Sequence, residues 1–595
     1  MFKRVAYLLI FYLLTVLLFV VAKVVFMLCN TSVCTFTVSD VFSVIHHGLT
    51  LDLSTALYFL IVPFLLIVAS LWVVIPRWVY RVYYVITAFV YALVFVADTS
   101  LYPFWRFKLD ASCLQYLETP GDAMASVSAG YLLLRVLAFL VLTFAIYKFY
   151  DILSLPIRRM KHPLVHTLGY VLLIPFIVIG IRGGLDESTT NIGQVYFSQN
   201  QFLNHSAVNP VFSFLASFEK TATSIVDYNY YTTEECAQLM DGLYPTSSEN
   251  SKRLLTMQQP DIVVILMESA GELMADVMPR LQQLKREGVN FSNCYGNTWR
   301  TDRGTVCAYS GYPSFPTSSV MKMPSKTQHL PSLARSLQRA GYSTSYFYGG
   351  DINFTNMRSY LVGTGFEELT WKKDYSTAEQ QTSEWGVRDG IVFQSVYQKL
   401  TAPHEQPLLI GFSTLSSHQP WDVPVHHVSD TIKNAFYYLD DCIGHFIDQL
   451  RQSPQWHRTL VVLLPDHSID YGDLDESRQE RNRIPMVWTG GAVARHEDIP
   501  QICNQTDLAA TLLSQLGLPH EEFRWSRDVL SDSYRYPFAV HNFNNGFSIV
   551  DSTGFIVYDL DSSRLSVNNS TDAQRLVRMG KAILQATTND LKDMQ

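Results

Sequence analysis

The sequence predicts two parts: an N-terminal bundle of five transmembrane helices, then an α/β domain built on a parallel sheet. Three observations predict this division. The chain has 595 residues, which is too long for one ordinary domain. Its composition is 48% hydrophobic but only 16% charged, and the apolar residues crowd into the first third. After that third, short apolar runs alternate with helical patterns, which indicates a parallel sheet covered by helices.

The overall charge excludes one class of function. The formal net charge is −8, and the sequence contains no long basic run. Both features argue against a protein that binds nucleic acid.

Five apolar segments are long enough to cross a bilayer, which takes about 20 residues. They are Val5–Leu28, Leu53–Ile75, Trp78–Ala97, Gly130–Phe149 and Pro163–Ile181. A cleaved signal peptide is the alternative for the first segment. Its apolar run exceeds the roughly 7–15 residues of a signal sequence, and four more segments follow it.

Basic residues are distributed unequally between the two sides of these segments. The side that includes the N-terminus carries Lys3, Arg4, Arg77, Arg81, Lys148, Arg158, Arg159 and Lys161. The loop Cys29–Asp52 on the other side has no Lys or Arg. The positive-inside rule then predicts a multi-pass protein of the cell (inner) membrane. Its N-terminus would be cytoplasmic, and everything after Ile181 would be extracytoplasmic.

The pattern also predicts domain boundaries. Residues 1–181 form the membrane domain, and residues 182–256 form a polar extracytoplasmic connector. Residues 257–535 form the main α/β domain, and residues 536–595 complete it. The last part contains a hairpin at Phe547–Val550 and Gly554–Tyr558 and a helix near Thr571–Gln585, which suggests a small antiparallel sub-sheet.

Elements of the α/β domain follow from apolar runs and helical periodicity. Strands are expected at Ile262–Met267, Ser343–Tyr348, Leu408–Phe412 and Leu460–Leu464. Helices are expected at Met278–Glu287, Leu330–Ala340, Thr431–Leu450 and Asp507–Leu516. Eight cysteines permit disulfides outside the cytoplasm, and Cys29/Cys34 and Cys294/Cys307 are closest in sequence.

Residues of metal-ligand type stand at the ends of two predicted strands. Glu268 follows the first strand, and Asp466 and His467 follow the last. Ligand sites in open α/β sheets lie outside the carboxyl ends of strands, so these side chains are expected to meet there with Thr301. Carboxylate, imidazole and hydroxyl ligands suit Mn²⁺, Zn²⁺ or Mg²⁺. Alternatively, each residue alone caps a helix or starts a turn.

Thr301 is the candidate nucleophile, in Thr301-Asp302-Arg303-Gly304-Thr305. A threonine hydroxyl needs a metal or a base to become reactive. At a helix N-terminus it would also have backbone N–H groups that bind phosphate oxygens. Arg303 could bind a phosphate or pair with Asp302.

Two further loops supply candidates for substrate binding. His418 follows the strand Leu408–Phe412 and could bind a phosphate or protonate a leaving alkoxide. Residues after the strand Ser343–Tyr348 could line the pocket, namely Asp351, Phe354, Asn356 and Arg358. The segment Trp385–Asp389 is a polar-aromatic cluster that fits a structural turn.

Assembled, these motifs resemble the lipoteichoic acid synthase and phosphoglycerol transferase family, sulfatase-like proteins of the alkaline phosphatase superfamily. Four stretches carry the resemblance: Leu266-Met267-Glu268-Ser269, Arg300-Thr301-Asp302-Arg303-Gly304, Ser417-His418-Gln419-Pro420-Trp421 and Leu464-Pro465-Asp466-His467-Ser468. The family's pocket offers a Trp and, two residues later, an Arg. Here Phe354 and Asn356 stand at those places, and Arg358 follows.

The resemblance implies a site and a reaction. Glu268, Thr301, Asp466 and His467 would bind one Mn²⁺-like ion, and His418 would contact a phosphoglycerol group. Thr301 would take this group from an anionic phospholipid such as phosphatidylglycerol and pass it to an acceptor hydroxyl. The acceptor stays open among an envelope polymer, a glycan, a glycolipid and water. The alternatives are a phosphoethanolamine transferase of the same superfamily and a non-catalytic envelope sensor or binding module.

Overall fold

The computed structural model describes residues 2–105, 107–109, 113, 129–153, 159–218, 225–472 and 474–594. The chain forms two compact units, Met1–Lys220 and Thr221–Gln595. The boundary between them lies inside the predicted connector, residues 182–256.

The first unit contains five segments that are long and apolar enough to cross a membrane, and their mean hydropathy lies between 1.8 and 2.8. This confirms the five predicted segments, and the protein is a membrane protein. The helices are α1 (Phe2–Cys29), α2 (Val38–Trp72), α3 (Arg77–Trp105), α4 (Ala129–Asp151), α5 (Pro163–Val171), α6 (Ile174–Arg182), α7 (Gln201–Ala207) and α8 (Pro210–Ala216). The fifth segment is thus two short helices, interrupted just before Pro175, because proline lacks the N–H that a continuous helix needs.

Helix α2 begins at Val38, well before the predicted start at Leu53. The apolar run is interrupted by Asp52, a charge that argues against a membrane helix. In the folded unit Asp52 is fully buried, and its carboxylate pairs with the buried Lys23 of α1. It also accepts a hydrogen bond of 2.9 Å from the Asn209 side chain. Burial of the charge is therefore compensated within the unit.

The second unit is built on an eight-stranded sheet in the order β5-β4-β6-β1-β7-β8-β2-β9. Its strands are β1 (Asp261–Met267), β2 (Val289–Phe291), β4 (Ser343–Tyr348), β5 (Glu368–Trp371), β6 (Leu408–Ser413), β7 (Thr459–Pro465), β8 (Val487–Thr489) and β9 (Glu497–Ile499). The five strands from β5 to β7 in this order run parallel. Strand β8 runs antiparallel to both of its neighbours. The four predicted strands all belong to the parallel part.

Both faces of this sheet are covered, which explains the continuous apolar runs. Alternate residues of β1 enter different hydrophobic clusters: Val264 packs in one and Val263 in the other. The helices of this unit that precede the C-terminal sheet are α9 (Thr233–Met240), α10 (Pro279–Glu287), α11 (Thr301–Ser310), α12 (Pro324–Thr327), α13 (Leu333–Arg339), α14 (Met357–Thr364), α15 (Thr377–Gln380), α16 (Asp389–Thr401), α17 (Thr431–Arg451) and α18 (Leu508–Leu516).

A separate antiparallel sheet near the C-terminus confirms the predicted sub-sheet. Its strands follow chain order, β11 (Phe538–Phe543), β12 (Gly546–Asp551), β13 (Gly554–Asp559) and β14 (Arg564–Ser570). The last helix, α19 (Ala573–Asp593), packs on this sheet, where Gly580 leaves room for Phe547 and Ile549.

In the part of the chain that the structure describes, no disulfide joins Cys29, Cys34, Cys236, Cys294, Cys307, Cys442 or Cys503. The closest pair in sequence within the second unit, Cys294 and Cys307, is separated by the fold. Cys307 lies in α11, whereas Cys294 lies in the short strand β3 (Cys294–Tyr295). Opposite Cys294 stands Cys503 of β10 (Cys503–Asn504), and both side chains are buried.

Candidate active site

The ends of β1 and β7 bring the predicted metal ligands together. The two strands are parallel neighbours, with Met267 of β1 opposite Pro465 of β7. Glu268 and Asp466, the next residues, therefore leave the sheet side by side. One ligand atom from each of Glu268, Asp466 and His467 lies within 4.8 Å of the other two.

Thr301 is the first residue of helix α11 and faces this cluster. Its hydroxyl donates a hydrogen bond of 3.1 Å to Oε2 of Glu268. It also lies 3.5 Å from Nε2 of His467. The first turn of a helix presents backbone N–H groups and a partial positive charge, which favour a phosphate at this place. The nucleophile and ligands predicted from sequence thus share one site.

The electrostatics of the cluster suit a divalent cation. Glu268 and Asp466 are 5% and 1% exposed, so two carboxylates approach each other away from water. Burial and the Glu268 charge raise the pKa of Asp466 to about 7. Burial opposes a charge on His467, but the carboxylates of Asp466 and Glu268 raise its pKa overall. Among the residues that the structure describes, the buried Oδ2 atom of Asp466 has no hydrogen-bond partner.

These residues therefore fit a divalent metal ion with oxygen and nitrogen ligands. The donor set does not discriminate between Mn²⁺, Zn²⁺ and Mg²⁺, because all three accept carboxylate and imidazole ligands.

The ligand residues are positioned by their neighbours. The Ser269 hydroxyl donates to Oε1 of Glu268, and its backbone N–H donates to Oδ1 of Asp466, both at 2.8 Å. The amide of Gln505 donates to the carbonyl oxygens of Pro465 and Asp466, both at 2.7 Å. Such contacts hold metal ligands in orientation.

Gly304 allows helix α11 to approach the ligand strand. A Cβ atom at this position would collide with the backbone carbonyl of Asp466. The glycine in the Thr301 motif is therefore required by the close contact between the helix and the end of β7.

The loop that carries His418 is attached to the same cluster. The Ser417 hydroxyl donates a hydrogen bond of 2.7 Å to the carbonyl oxygen of Glu268. The buried carboxylate of Asp389 accepts from the backbone N–H groups of Leu415 and Ser416 at 2.8 and 2.9 Å. Burial nevertheless raises the pKa of Asp389 to about 6. These two contacts place the His418 loop beside the predicted metal ligands.

Trp385 contacts His418 directly. The two rings meet edge to face with their centroids 4.7 Å apart. The indole N–H of Trp385 donates a hydrogen bond of 2.6 Å to the carbonyl oxygen of Gln419. Phe354 lies on another side of Trp385, with a centroid distance of 6.1 Å. Of the residues predicted after β4, Phe354 is therefore brought to the His418 region.

The other residues predicted after β4 have different surroundings. Asp351 accepts hydrogen bonds from the backbone and side chain of Asn353 at 3.0 and 2.9 Å. The guanidinium of Arg358 lies 5.8 Å from the Trp371 ring. Burial lowers the pKa of Arg358, against the opposing effect of Asp374 and Asp351.

Backbone strain is concentrated in these loops. Ser269, Thr355, Asn356 and Trp421 all have φ between 53° and 63°. Residues other than glycine rarely adopt this conformation, and such strain clusters at functional sites. Asn356, a predicted substrate ligand, is one of these strained residues. Its role, like those of Asp351 and Arg358, stays a prediction.

Arg303 points toward a different neighbour. Its guanidinium donates a hydrogen bond of 3.2 Å to the carbonyl oxygen of Pro316 and lies 5.1 Å from the Trp299 ring. The side chain is 9% exposed, and burial lowers its pKa. These contacts give Arg303 a structural role, and its predicted phosphate contact is untested.

Three positioning residues have weak or no signals in sequence. Trp385 and Asp389 were interpreted as part of a structural turn, and that turn holds the His418 loop. Gln505 offers no motif at all, since a single glutamine before a helix is common. Their roles follow from contacts across long sequence separations.

The second unit is similar to known proteins in sequence and in fold. Residues 260–518 match the model of the sulfatase family. A solved protein of the alkaline phosphatase superfamily from Vibrio parahaemolyticus has the same fold. The match has a TM-score of 0.54 and 22% identity, and it covers 62% of this chain and 98% of that one.

Two curated relatives are similar to part of this chain. Phosphoglycerol transferase I of Xanthomonas campestris pv. campestris (strain B100) is 23% identical over 282 residues, covering 43% of this chain and 40% of that protein. Lipoteichoic acid synthase 2 of Bacillus subtilis (strain 168) is 23% identical over 328 residues, covering 48% of this chain and 49% of that protein. The chain thus matches less than half the length of each relative. The resemblance to the phosphoglycerol transferase and lipoteichoic acid synthase family is confirmed.

Proposed function

We propose that this protein is a membrane-anchored, metal-dependent transferase. It moves a phosphoglycerol group from a phosphatidylglycerol-type lipid, through a phosphothreonine intermediate, to an extracytoplasmic acceptor hydroxyl. The observation that carries the proposal is the Thr301 hydroxyl, 3.1 Å from Glu268 and 3.5 Å from His467 at the start of a helix. The names of the curated relatives support the phosphoglycerol group.

The first step transfers the group to Thr301. Its oxygen attacks the phosphorus atom of the lipid, a P–O bond to Thr301 forms, and the bond to the diacylglycerol oxygen breaks. The proton lost by Thr301 ends on the released diacylglycerol, and a phosphoglycerol diester of Thr301 remains. Glu268 and His467 orient the attacking oxygen, and the N–H groups of α11 hold the phosphate oxygens.

The second step reverses this chemistry with a different oxygen. An acceptor hydroxyl attacks the same phosphorus atom, and the bond to Thr301 breaks. The acceptor's proton returns to the threonine oxygen, so the enzyme is regenerated. His418 is assigned the proton transfers at the leaving and entering oxygens, because its loop is anchored to the carbonyl of Glu268.

A divalent cation held by Glu268, Asp466, His467 and Thr301 would supply Lewis-acid chemistry and lower the pKa of the threonine hydroxyl. Mn²⁺ is the proposed ion. The chain's own residues then bind and orient the lipid phosphate and keep water from the buried carboxylates.

The membrane segments keep the enzyme beside its lipid donor. The proposed orientation has the N-terminus in the cytoplasm and the sulfatase domain outside the inner membrane. It rests on the unequal distribution of Lys and Arg between the loops. Anchoring to the same membrane raises the effective concentration of the donor.

Mass spectrometry of the intact, purified protein tests the proposal. After incubation with phosphatidylglycerol and Mn²⁺, a mass increase of one phosphoglycerol group is expected, mapped to Thr301. The increase should be absent in Thr301→Ala and retained in Thr571→Ala, which replaces an exposed threonine of the same unit.

The same experiment separates the alternatives. An adduct formed only with phosphatidylethanolamine would replace the proposal by a phosphoethanolamine transferase. Asn356, where the family offers an arginine, is the reason to include that lipid. If no adduct forms with either lipid and no lipid is turned over, the result would favour a non-catalytic binding module.

A further inference from the structure

The two nitrogen atoms of the His467 ring have different neighbours. Nε2 lies 3.5 Å from the Thr301 hydroxyl and 3.6 Å from a carboxylate oxygen of Glu268. Nδ1 lies 3.0 Å from the carbonyl oxygen of Ser468. A carbonyl oxygen only accepts hydrogen bonds, so Nδ1 carries a proton and donates it. In the neutral ring, this contact leaves the lone pair of Nε2 for a metal ion.

The carbonyl oxygen of Ser468 also accepts a hydrogen bond from Arg481. The bond from Nη1 of Arg481 measures 3.1 Å. A carbonyl oxygen has two lone pairs, so it accepts from Arg481 and from His467 together. Arg481 therefore holds the acceptor that sets the orientation of the His467 ring. Neither proposed reaction step assigns a role to this arginine.

The bond between Arg481 and Ser468 closes a loop of the chain. The two residues are 13 positions apart. Between them the chain reaches the surface, because the side chain of Asp470 is 81% exposed. Asp470 forms an ion pair of 3.9 Å with Arg481, and a pair with so exposed a partner contributes little. The Arg481 side chain is only 8% exposed, so its bond to the Ser468 carbonyl is shielded from water.

The backbone on the far side of Arg481 is fixed to the site. The carbonyl oxygen of Asn482 accepts a hydrogen bond of 2.8 Å from the N–H of Gly296, in the segment that leads to the nucleophile. The carbonyl oxygen of Arg483 accepts one of 3.0 Å from the N–H of Glu272, in the segment after β1. Arg481 thus extends from backbone that two parts of the site hold in place.

We propose that Arg481 is a positioning residue of the metal site, which acts through the Ser468 carbonyl to hold His467 with Nε2 facing Glu268 and Thr301. This rests on the proposed function, because it assigns how the chain orients one of the proposed ligands. Arginine stays protonated and has no acceptor atom, so Arg481 is not itself a ligand. Loss of a group that orients a metal-ligating histidine lowers metal affinity by about 10–100-fold.

Two substitutions of similar length test the hydrogen bond. Mn²⁺ affinity is measured by isothermal titration of the full-length protein. Arg481→Met keeps a long side chain but has no donor, and it should weaken Mn²⁺ binding by about 10–100-fold. Arg481→Lys supplies an N–H donor and should retain more of the affinity than Arg481→Met. The control is Arg478→Ala, which replaces an exposed arginine of the same loop and should bind Mn²⁺ as the wild type does.

Misfolding of a variant is separable from a loss of affinity. Unfolded protein lowers the stoichiometry of the titration, whereas a misoriented His467 lowers the affinity of the folded sites. The thermal midpoint of each metal-free protein is measured in parallel. A role in stability alone would shift the midpoint and leave the affinity of the folded sites unchanged.

Chemical labelling of His467 provides a readout that needs no metal. Diethyl pyrocarbonate acylates imidazole nitrogen, and peptide mass spectrometry gives the rate at each histidine. In the metal-free protein, His467 should be labelled faster in Arg481→Met than in the wild type, because the ring is no longer held at the Ser468 carbonyl. His445, whose side chain is 73% exposed, is the reference, and its rate should not change.

The outcomes separate this proposal from the proposed function. Equal Mn²⁺ affinity in the wild type and Arg481→Met, or in Arg481→Met and Arg481→Lys, would overturn the positioning role and leave the metal site standing. A wild-type protein that binds no Mn²⁺ would refute the metal requirement. The labelling rates would then decide the role of Arg481: faster labelling of His467 in Arg481→Met supports it, and an unchanged rate overturns it.

Discussion

The hydroxyl of Ser417 donates a hydrogen bond to the backbone carbonyl of Glu268, so the His418 loop is attached to a residue whose carboxylate is a proposed metal ligand. The two residues are 149 positions apart in sequence. Their parent strands, β6 and β1, are parallel neighbours, which brings both loops to one edge of the sheet. A displacement of one loop is therefore transmitted to the other.

Ser417→Ala should impair turnover more than stability. Losing this buried hydrogen bond costs about 1 kcal/mol of unfolding free energy. Misplacing His418 slightly should lower kcat by about tenfold to a hundredfold, because catalysis depends on position at the ångström scale. Diacylglycerol release and thermal unfolding measure the two effects. Ser395→Ala, on helix α16, is the control, and equal turnover in both variants would contradict the assigned role of the anchor.

Gly304→Ala should separate helix α11 from the end of β7. The added Cβ would meet the carbonyl of Asp466, and backbone atoms cannot move aside cheaply. We expect a loss of about 1–3 kcal/mol in stability, as for other overpacked sites. Mn²⁺ affinity should fall as well, because Thr301 moves with its helix. Isothermal titration and thermal unfolding measure these effects.

The control is Gly130→Ala in helix α4, where none of the described residues lies within 4 Å of the new Cβ. A Gly304→Ala protein with unchanged stability and Mn²⁺ affinity would show that the contact with Asp466 is readily relieved.

Removing the metal should lower the stability of the protein, and this effect should depend on Asp466 as a ligand. A ligand that binds only the folded state stabilises it by about 2.7 kcal/mol at a hundred times its Kd. Chelation should therefore lower the thermal midpoint of the wild-type protein and abolish lipid turnover, and added Mn²⁺ should restore both. Asp466→Asn should abolish the Mn²⁺-dependent shift. Asp470→Asn, whose side chain is 81% exposed, should retain it.

A Mn²⁺-dependent shift that survives Asp466→Asn would exclude Asp466 as a ligand. Turnover that survives exhaustive chelation would refute the metal requirement itself.

Asp440 should make stability depend on pH. Its buried carboxylate accepts hydrogen bonds from the backbone N–H groups of Arg280 and Leu281 at 2.7 and 2.8 Å. Burial nonetheless raises its pKa from 3.8 to about 6. Between these pH values the folded state holds the proton more tightly than the unfolded state. The stabilisation of the folded state by protonated Asp440 is therefore complete below pH 3.8 and is lost as the pH rises through about 6.

Asp440→Asn removes this titration. The thermal midpoint of the wild type should exceed that of the variant most at acid pH. The excess should shrink as the pH approaches neutrality. Gln394→Ala, which replaces an exposed side chain that does not titrate, should show a difference that is independent of pH in the same range. A constant difference for Asp440→Asn would contradict the raised pKa.

Local patterns predicted much of the fold. The strand Ser343–Tyr348 was predicted with the boundaries that the structure has, and the strand at Ile262–Met267 differs by one residue. Both strands are short and largely buried, and both contain the β-branched or aromatic residues that favour strands. The predicted start of the second membrane segment, Leu53, differs from the start of helix α2 at Val38. The helix includes Asp52 because the charge of Asp52 is compensated by Lys23, a residue of another helix.

The sequence by itself determined the five apolar segments, the parallel strands and the residue types at their ends. The proximity of Glu268, Asp466 and His467 was predictable because the carboxyl ends of parallel strands meet at one edge of the sheet. The proximity of Thr301 depends on how helix α11 packs against that edge. Only the tertiary structure decided that Ser417, Asp389 and Trp385 hold the His418 loop and that Arg303 contacts Pro316. The physical reason is that strand periodicity and apolar runs act between near neighbours, whereas these contacts join loops that only the folded sheet brings together.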